Sequence, residues 1–198
     1  MRSHVSKAAS NCFAAIHRLR SICRLVSQPV LLSLIMTGLD YDSVTLAGLP
    51  GHLLYRLQSV LNAAARLVCY AQKYDHITHL LWDLHWLRVP QRIQFRLAVL
   101  VFRCCNMALP YLLRDLQRTD EAESLRRLRS GSQQRLIVPR TRLRTMGDRY
   151  FRVMAACAWN SLPTGVTTAT FPGFFQKTVK DISFSLSRSH YSSLCTVS

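Results

Sequence analysis

Residues 53–68 read LLYRLQSVLNAAARLV, and how this stretch is read decides the fold. Leu54, Leu57, Val60, Leu61, Ala64, Leu67 and Val68 recur three and four residues apart, while Arg56, Gln58, Asn62 and Arg66 fall on the other faces. That is the period of an amphipathic helix with one apolar stripe, and such a stripe is stable only when laid against other apolar surface. A second stretch, residues 90–105, PQRIQFRLAVLVFRCC, opens on a proline, which suits a first helical turn, and is apolar nearly all round. It is therefore expected at the centre. The two together predict a mainly α fold, a helical bundle packed on the helices at 53–68 and 90–105.

Working outward, Ala8, Ala9, Cys12, Phe13, Ile16 and Leu19 predict a first amphipathic helix, with His17, Arg18, Arg20 and Arg24 toward water. Ser27 and Pro29 open a second helix whose body is Val30 to Met36 and which Gly38 is expected to stop. A shorter helix is expected around His76 to Leu84, a break at residues 106–110, and further helical turns over residues 111–116. Residues 118–134 turn polar and basic, as a linker or arm does. Residues 138–145, VPRTRLRT, alternate Arg140, Arg142 and Arg144 with Thr141, Leu143 and Thr145, the two-residue period of a strand, so a small β hairpin or short strand element is expected near 135–146. Gly147 and Asp148 mark a turn, the run from Tyr150 to Trp159 a packed helix, and Phe171, Phe174, Phe175 and Val179 a last short helix. The expected division is 1–117 a helical bundle, 118–134 the arm, 135–182 the β element with helices packing on the bundle, and 183–198 a serine-rich disordered tail.

Composition narrows the function. The 198 residues are 49% hydrophobic and 18% charged, which is a globular balance, and the formal charge is +16. Of the 26 basic residues, 22 are arginine, the side chain suited to bidentate phosphate contacts and to stacking on bases. Polyanions are the expected partners. No apolar run reaches the roughly 20 residues of a spanning helix, and the N-terminus lacks the unbroken apolar region of a secretory signal. An intracellular protein is expected, nuclear and/or cytoplasmic, not secreted, with no membrane partner. The odd total of seven cysteines has no disulfide-like spacing, and Cys12, Cys69, Cys104 and Cys157 sit among apolar neighbours where reduced cysteine packs as a small hydrophobe.

Catalytic motifs are not found. Asp40 and Asp42 are two apart, so their carboxylates point away from each other on either regular element, against a two-metal site. Cys69, His76, His79 and His85 match no common zinc spacing, and His79 and His85 lie among Leu80, Leu81, Trp82 and Trp86, where structural histidines are expected. There is no glycine-rich phosphate loop and no nucleophile elbow. No catalytic residue, metal, cofactor or small-molecule substrate is expected.

The order of four segments carries a resemblance: LDYDSVTLAGLP from residue 39, LQSVLNAAARLV from residue 57, YDHITHLLWDLHWLRVPQRIQFRLAVLVFRC from residue 74, and LIVPRTRLRTMGDRYFRVMAACAWNSLP from residue 136. Over about residues 10–182 the chain resembles the C-terminal end of the reverse-transcriptase polyprotein of non-LTR retrotransposons (LINEs), in the chicken-repeat and jockey-like branch. The resemblance implies the thumb and the helical region after it. It also implies that the palm aspartates and the endonuclease residues of an RNA-directed DNA polymerase lie upstream, so that the chain is no enzyme. Asp40 matches the family's Leu-Asp-Tyr element, not its metal site. The chain departs from the family at Asp42 and Ser43, and at the loop from Met107 to Leu112, which is shortened and lacks its glycine, as in a decayed or repurposed copy.

The function expected from residues and resemblance is non-catalytic, sequence-nonspecific binding of RNA or an RNA·DNA duplex. Arg126, Arg127, Arg129, Arg140, Arg142, Arg144, Arg149 and Arg152 are the expected phosphate contacts, since only Asp148 opposes them between Ser124 and Arg152. Arg92, Arg96 and Arg103, within about 40° of one another on a helix, form a secondary basic seam. The alternative is an orphan or recruited protein-interaction product of a decayed retrotransposon, with self-association through an exposed thumb face.

Overall fold

The computed structural model describes residues 2–22, 25–40, 46–106, 112, 116, 135–141, 147, 150–169 and 171–195. Within them the fold is mainly α, as the apolar periods predict, with eight helices: α1 Arg2–Ile22, α2 Gln28–Asp40, α3 Gly51–Val68, α4 Ile77–Asp83, α5 Val89–Asn106, α6 Phe151–Asn160, α7 Thr164–Thr167 and α8 Pro172–Cys195. The chain forms two compact units, residues 1–92 and 93–198. The division falls inside α5 and not near residue 117, where composition alone sets the end of the first bundle.

In the first unit α3 is the hub, touching α1, α2 and α4. Its stripe is buried as the period requires, at Leu53, Leu57, Val60, Leu61, Ala64, Ala65 and Val68. Ala64 and Ala65 carry no bulk, which lets neighbouring helices approach closely. Val5 and Ala9 of α1 and Leu31 and Ile35 of α2 pack into this core, each pair being four residues apart and so on one helix face. The α2 helix runs through Gly38 to Asp40. A helical glycine costs only about 1 kcal/mol, less than burial of Leu31 and Ile35 returns. Two polar contacts tie the unit together. Arg56 of α3 donates to the Ser6 hydroxyl of α1 at 2.9 Å, and the Gln58 side-chain oxygen accepts the Val89 N–H, an orphan donor of the first turn of α5, at 2.9 Å.

Helices α3 and α4 end in the same way. After α3, Tyr70 takes φ 51°, its N–H reaches the Leu67 carbonyl, and the Ala71 N–H reaches the Arg66 carbonyl at 2.9 Å. After α4, His85 takes φ 52°, its N–H reaches the Trp82 carbonyl, and the Trp86 N–H reaches the Leu81 carbonyl at 2.8 Å. These are Schellman motifs, in which the left-handed residue is usually glycine because a Cβ is strained there. His85→Gly is therefore expected to raise stability by about 0.5–1 kcal/mol, read as a higher midpoint in chemical unfolding of the full chain. A lower midpoint would mean that the exposed His85 ring contributes more than its backbone strain costs.

In the second unit the core gathers Ala98, Val101, Phe102 and Cys104 of α5, Ala155, Ala156 and Trp159 of α6, Val166 of α7, Phe175 and Val179 of α8, and Leu116 and Leu136. Three rings form its centre. Phe175, wholly buried, stacks on Phe102 with centroids 4.2 Å apart and planes 19° apart, and on Trp159 at 5.9 Å and 23°. Trp159 is thus a core residue, as its neighbours in sequence suggest.

Three expectations change. The serine-rich end is helical as far as it is described: α8 continues to Cys195, and residues 196–198 lie outside the described residues. Ser183 and Ser185 donate to the carbonyls of Val179 and Ile182 at 2.8 and 2.9 Å, so these hydroxyls are satisfied within a helix. Cys157 is exposed while Cys104 is buried. Cys157 lies on the face of α6 opposite Ala155, Ala156 and Trp159, which period 3.6 turns inward. Burial pushes the Cys12, Cys69 and Cys104 thiols up, with the Asp83 carboxylate adding to the rise at Cys69. His79 and His85 are exposed, not core: the His79 ring meets Trp82 edge to face at 5.6 Å.

Candidate nucleic-acid interface

Of the expected phosphate contacts, Arg140 and Arg152 are among the described residues, and Arg126, Arg127, Arg129, Arg142, Arg144 and Arg149 lie outside them. Arg140 is exposed. The segment that carries it, residues 135–141, holds one β-bridge position, Leu136, and no extended strand, so only that position of the expected β element is seen in its described part, and residues 142–146 lie outside. A side chain also holds the bridge position, Leu136. The Asn160 amide at the end of α6 accepts the Leu136 N–H at 3.0 Å and donates to the Leu136 carbonyl at 2.8 Å. The amide thus satisfies the Leu136 N–H and C=O together.

Two further contacts fix this segment. The Leu136 side chain is buried in the core of the second unit. Farther along, Thr141 lies so close to Gly147 that a Cβ on the glycine would overlap its side chain, a close backbone approach open only to glycine. Between these anchors Val138 and Arg140 are exposed and Pro139 and Thr141 half-buried, so alternate positions do face out. The Gly147 carbonyl then accepts the Tyr150 N–H at 3.0 Å, leading into α6, where Arg152 in the first turn is half-buried.

The secondary seam lies on α5. Arg92 closes the first unit, half-buried. Arg96, half-buried, and Arg103, exposed, belong to the second. These last two stand seven residues apart, about 20° on the helix wheel, away from the face that buries Leu97, Val101 and Cys104. The same helix thus presents core on one side and guanidinium on the other.

A different basic site lies outside the sequence expectations. In the first unit a cavity of about 530 Å³ is lined by Ile16 and Arg20 of α1, Ala63, Arg66 and Leu67 of α3, and Tyr70, Ala71 and Lys73 of the turn that follows. Arg66 is half-buried, its Nε–H buried without an acceptor. Its remaining contact is with the Asp75 backbone carbonyl, at 3.5 Å. The Asp75 carboxylate accepts the Gln72 N–H at 2.6 Å and so closes the turn. Among the described residues no three histidine, cysteine or acidic side chains come together as metal ligands, and no helix is long and apolar enough to cross a membrane.

No protein-family model, curated protein or solved structure matches the chain.

Proposed function

We propose that the chain is a non-catalytic nucleic-acid-binding protein, related to the thumb and post-thumb region of a non-LTR retrotransposon reverse transcriptase, that grips RNA or an RNA·DNA duplex through arginines. The observation that carries this reading is Arg140, exposed on a segment clamped by Asn160 and Gly147. A guanidinium on a fixed backbone loses less freedom on meeting a phosphate than one on a loose arm. The formal charge of +16 supplies long-range attraction to a polyanion. Arg96 and Arg103 extend the same chemistry along α5. Such binding reads backbone charge and not bases, and it belongs in the nucleus or cytoplasm, where RNA and RNA·DNA hybrids occur.

The test is the affinity of the full chain for a mixed-sequence RNA, for the matching RNA·DNA hybrid, and for an uncharged morpholino of the same sequence. The expected dissociation constants at physiological salt are about 10⁻⁴–10⁻⁶ M for the two charged ligands. Equal affinity for the morpholino would contradict phosphate recognition. Primer extension with magnesium is expected to stay at background.

A second reading rests on a separate observation. Helices α1 and α2 leave Phe13, Ile22, Val30 and Leu34 exposed, between 42% and 55%. A protein-interaction role, self-association included, would use these residues. It predicts a concentration-dependent sedimentation coefficient that Leu34→Glu abolishes without changing RNA affinity.

A further inference from the structure

We propose that the cavity between α1 and the end of α3 is a binding site for a 5′-nucleoside phosphate, held by Arg20, Arg66 and Lys73 with the Tyr70 ring against the base. The site lies wholly in the first unit and does not depend on the arginine segment of the second.

Three observations converge on this ligand. The first is charge. Arg20, Arg66 and Lys73 bring three cations to one cavity, and the nearest carboxylate in sequence, Asp75, is engaged by the Gln72 N–H. The second is a weakly met guanidinium. A terminal nitrogen of Arg66 reaches the Asp75 backbone carbonyl only at 3.5 Å, and a half-buried guanidinium is better met by an anionic oxygen. A phosphate supplies acceptor and countercharge together, in the fork geometry arginine favours. The third is shape. The cavity, at about 530 Å³, falls in the range of about 300–1,000 Å³ that small-ligand sites occupy. Ile16, Ala63, Leu67 and Ala71 give it an apolar wall, which inorganic phosphate alone would leave unused.

Tyr70 links these features. It occupies the left-handed position that glycine fills best, and the residue is 61% exposed. An exposed aromatic held at a strained backbone position beside three cations is placed to stack on a base. His85 has the same backbone strain and does not line this cavity, which makes it the natural control.

Calorimetric titration of the full chain with AMP, adenosine and inorganic phosphate tests the site. AMP is expected to bind about tenfold or more tightly than either fragment, since both the charged and the stacking contacts then contribute. Arg66→Met keeps the stem and removes the weakly met guanidinium, so it should fold at least as stably as the wild type and lose about tenfold in AMP affinity. Tyr70→Gly should be more stable than the wild type and bind AMP several-fold more weakly, with phosphate affinity unchanged. His85→Gly should bind AMP as the wild type does. Competition against bound AMP distinguishes the source of the phosphate. Displacement by a 5′-phosphorylated RNA, and not by its 5′-hydroxyl counterpart, assigns a strand end; displacement by neither assigns a free nucleotide. Adenosine binding as tightly as AMP, or an Arg66→Met protein that binds AMP undiminished, would overturn the proposal.

Discussion

Phe175→Ala lowers the stability of the second unit by about 3–5 kcal/mol, at the upper end of what a buried aromatic costs. The reason is where the void forms. The Phe175 ring lies on Phe102 at 4.2 Å and on Trp159 at 5.9 Å, and those two rings belong to different helices, α5 and α6. For the gap to close, both helices must move toward α8, against Val101, Cys104, Ala155 and Ala156, all buried at 1% exposure or less. The cavity therefore persists, and its walls lose their contacts outright. Phe175→Leu fills most of the space and forfeits the stacking, so it is expected to cost about 1–1.5 kcal/mol. Chemical unfolding of the full chain, followed by hydrogen exchange at the amides of residues 97–104 and 153–159, reads both variants. Equal losses for alanine and leucine would show that the three rings do not form one packed centre.

Asn160→Ala is expected to cost about 2–4 kcal/mol, a large effect for a half-buried residue at a helix end. Two hydrogen bonds of 3.0 and 2.8 Å are lost at once. Leu136, 3% exposed, then keeps a backbone N–H and C=O shielded from water with no partner. Each such orphan costs about 1–3 kcal/mol, more than the net worth of the bond itself. Asn160→Asp separates the two contacts: the carboxylate still accepts the Leu136 N–H but faces the Leu136 carbonyl with no proton to offer. It is expected to fall between wild type and alanine at neutral pH and to recover as the carboxyl protonates in acid. In either variant residues 136–141 lose an anchor, so RNA affinity should fall together with protection of the Leu136 amide from exchange. Unchanged protection at Leu136 would remove Asn160 from its assigned role.

How far the sequence discloses this molecule depends on whether the deciding interaction is local. The α3 stripe is local, so its period locates helix and core face alike; the same holds for α5, whose buried face follows from Leu97, Val101 and Cys104. The end of α8 is not legible in composition, because a serine hydroxyl can return to a carbonyl of its own helix, as those of Ser183 and Ser185 do. The division after Arg92 leaves no compositional mark, because it falls within a continuous helix and not in a linker. Asn160 reads as an ordinary helix-terminal residue, and its partner stands 24 positions away. Arg66 shows the same limit. On the wheel it is simply off the apolar stripe, and only the placement of Arg20 from α1 and Lys73 from the following turn makes it part of a cationic cavity. A basic residue in the last turn of a helix, followed within a few positions by an aromatic and a lysine, is the faint signal that was there to be found.

The arginines of residues 140–144 are proposed to grip phosphate. The direct measurement is RNA affinity across a salt series for the wild-type chain and for a variant with Arg140, Arg142 and Arg144 changed to alanine, both verified as folded. Each lost phosphate contact should flatten the log-log slope by about 0.7–0.9, so the variant is expected to show a slope shallower by about two to three units with weaker binding at low salt. Equal slopes in the two proteins would contradict it, and would leave the exposed apolar residues of α1 and α2 as the better guide to what the chain binds.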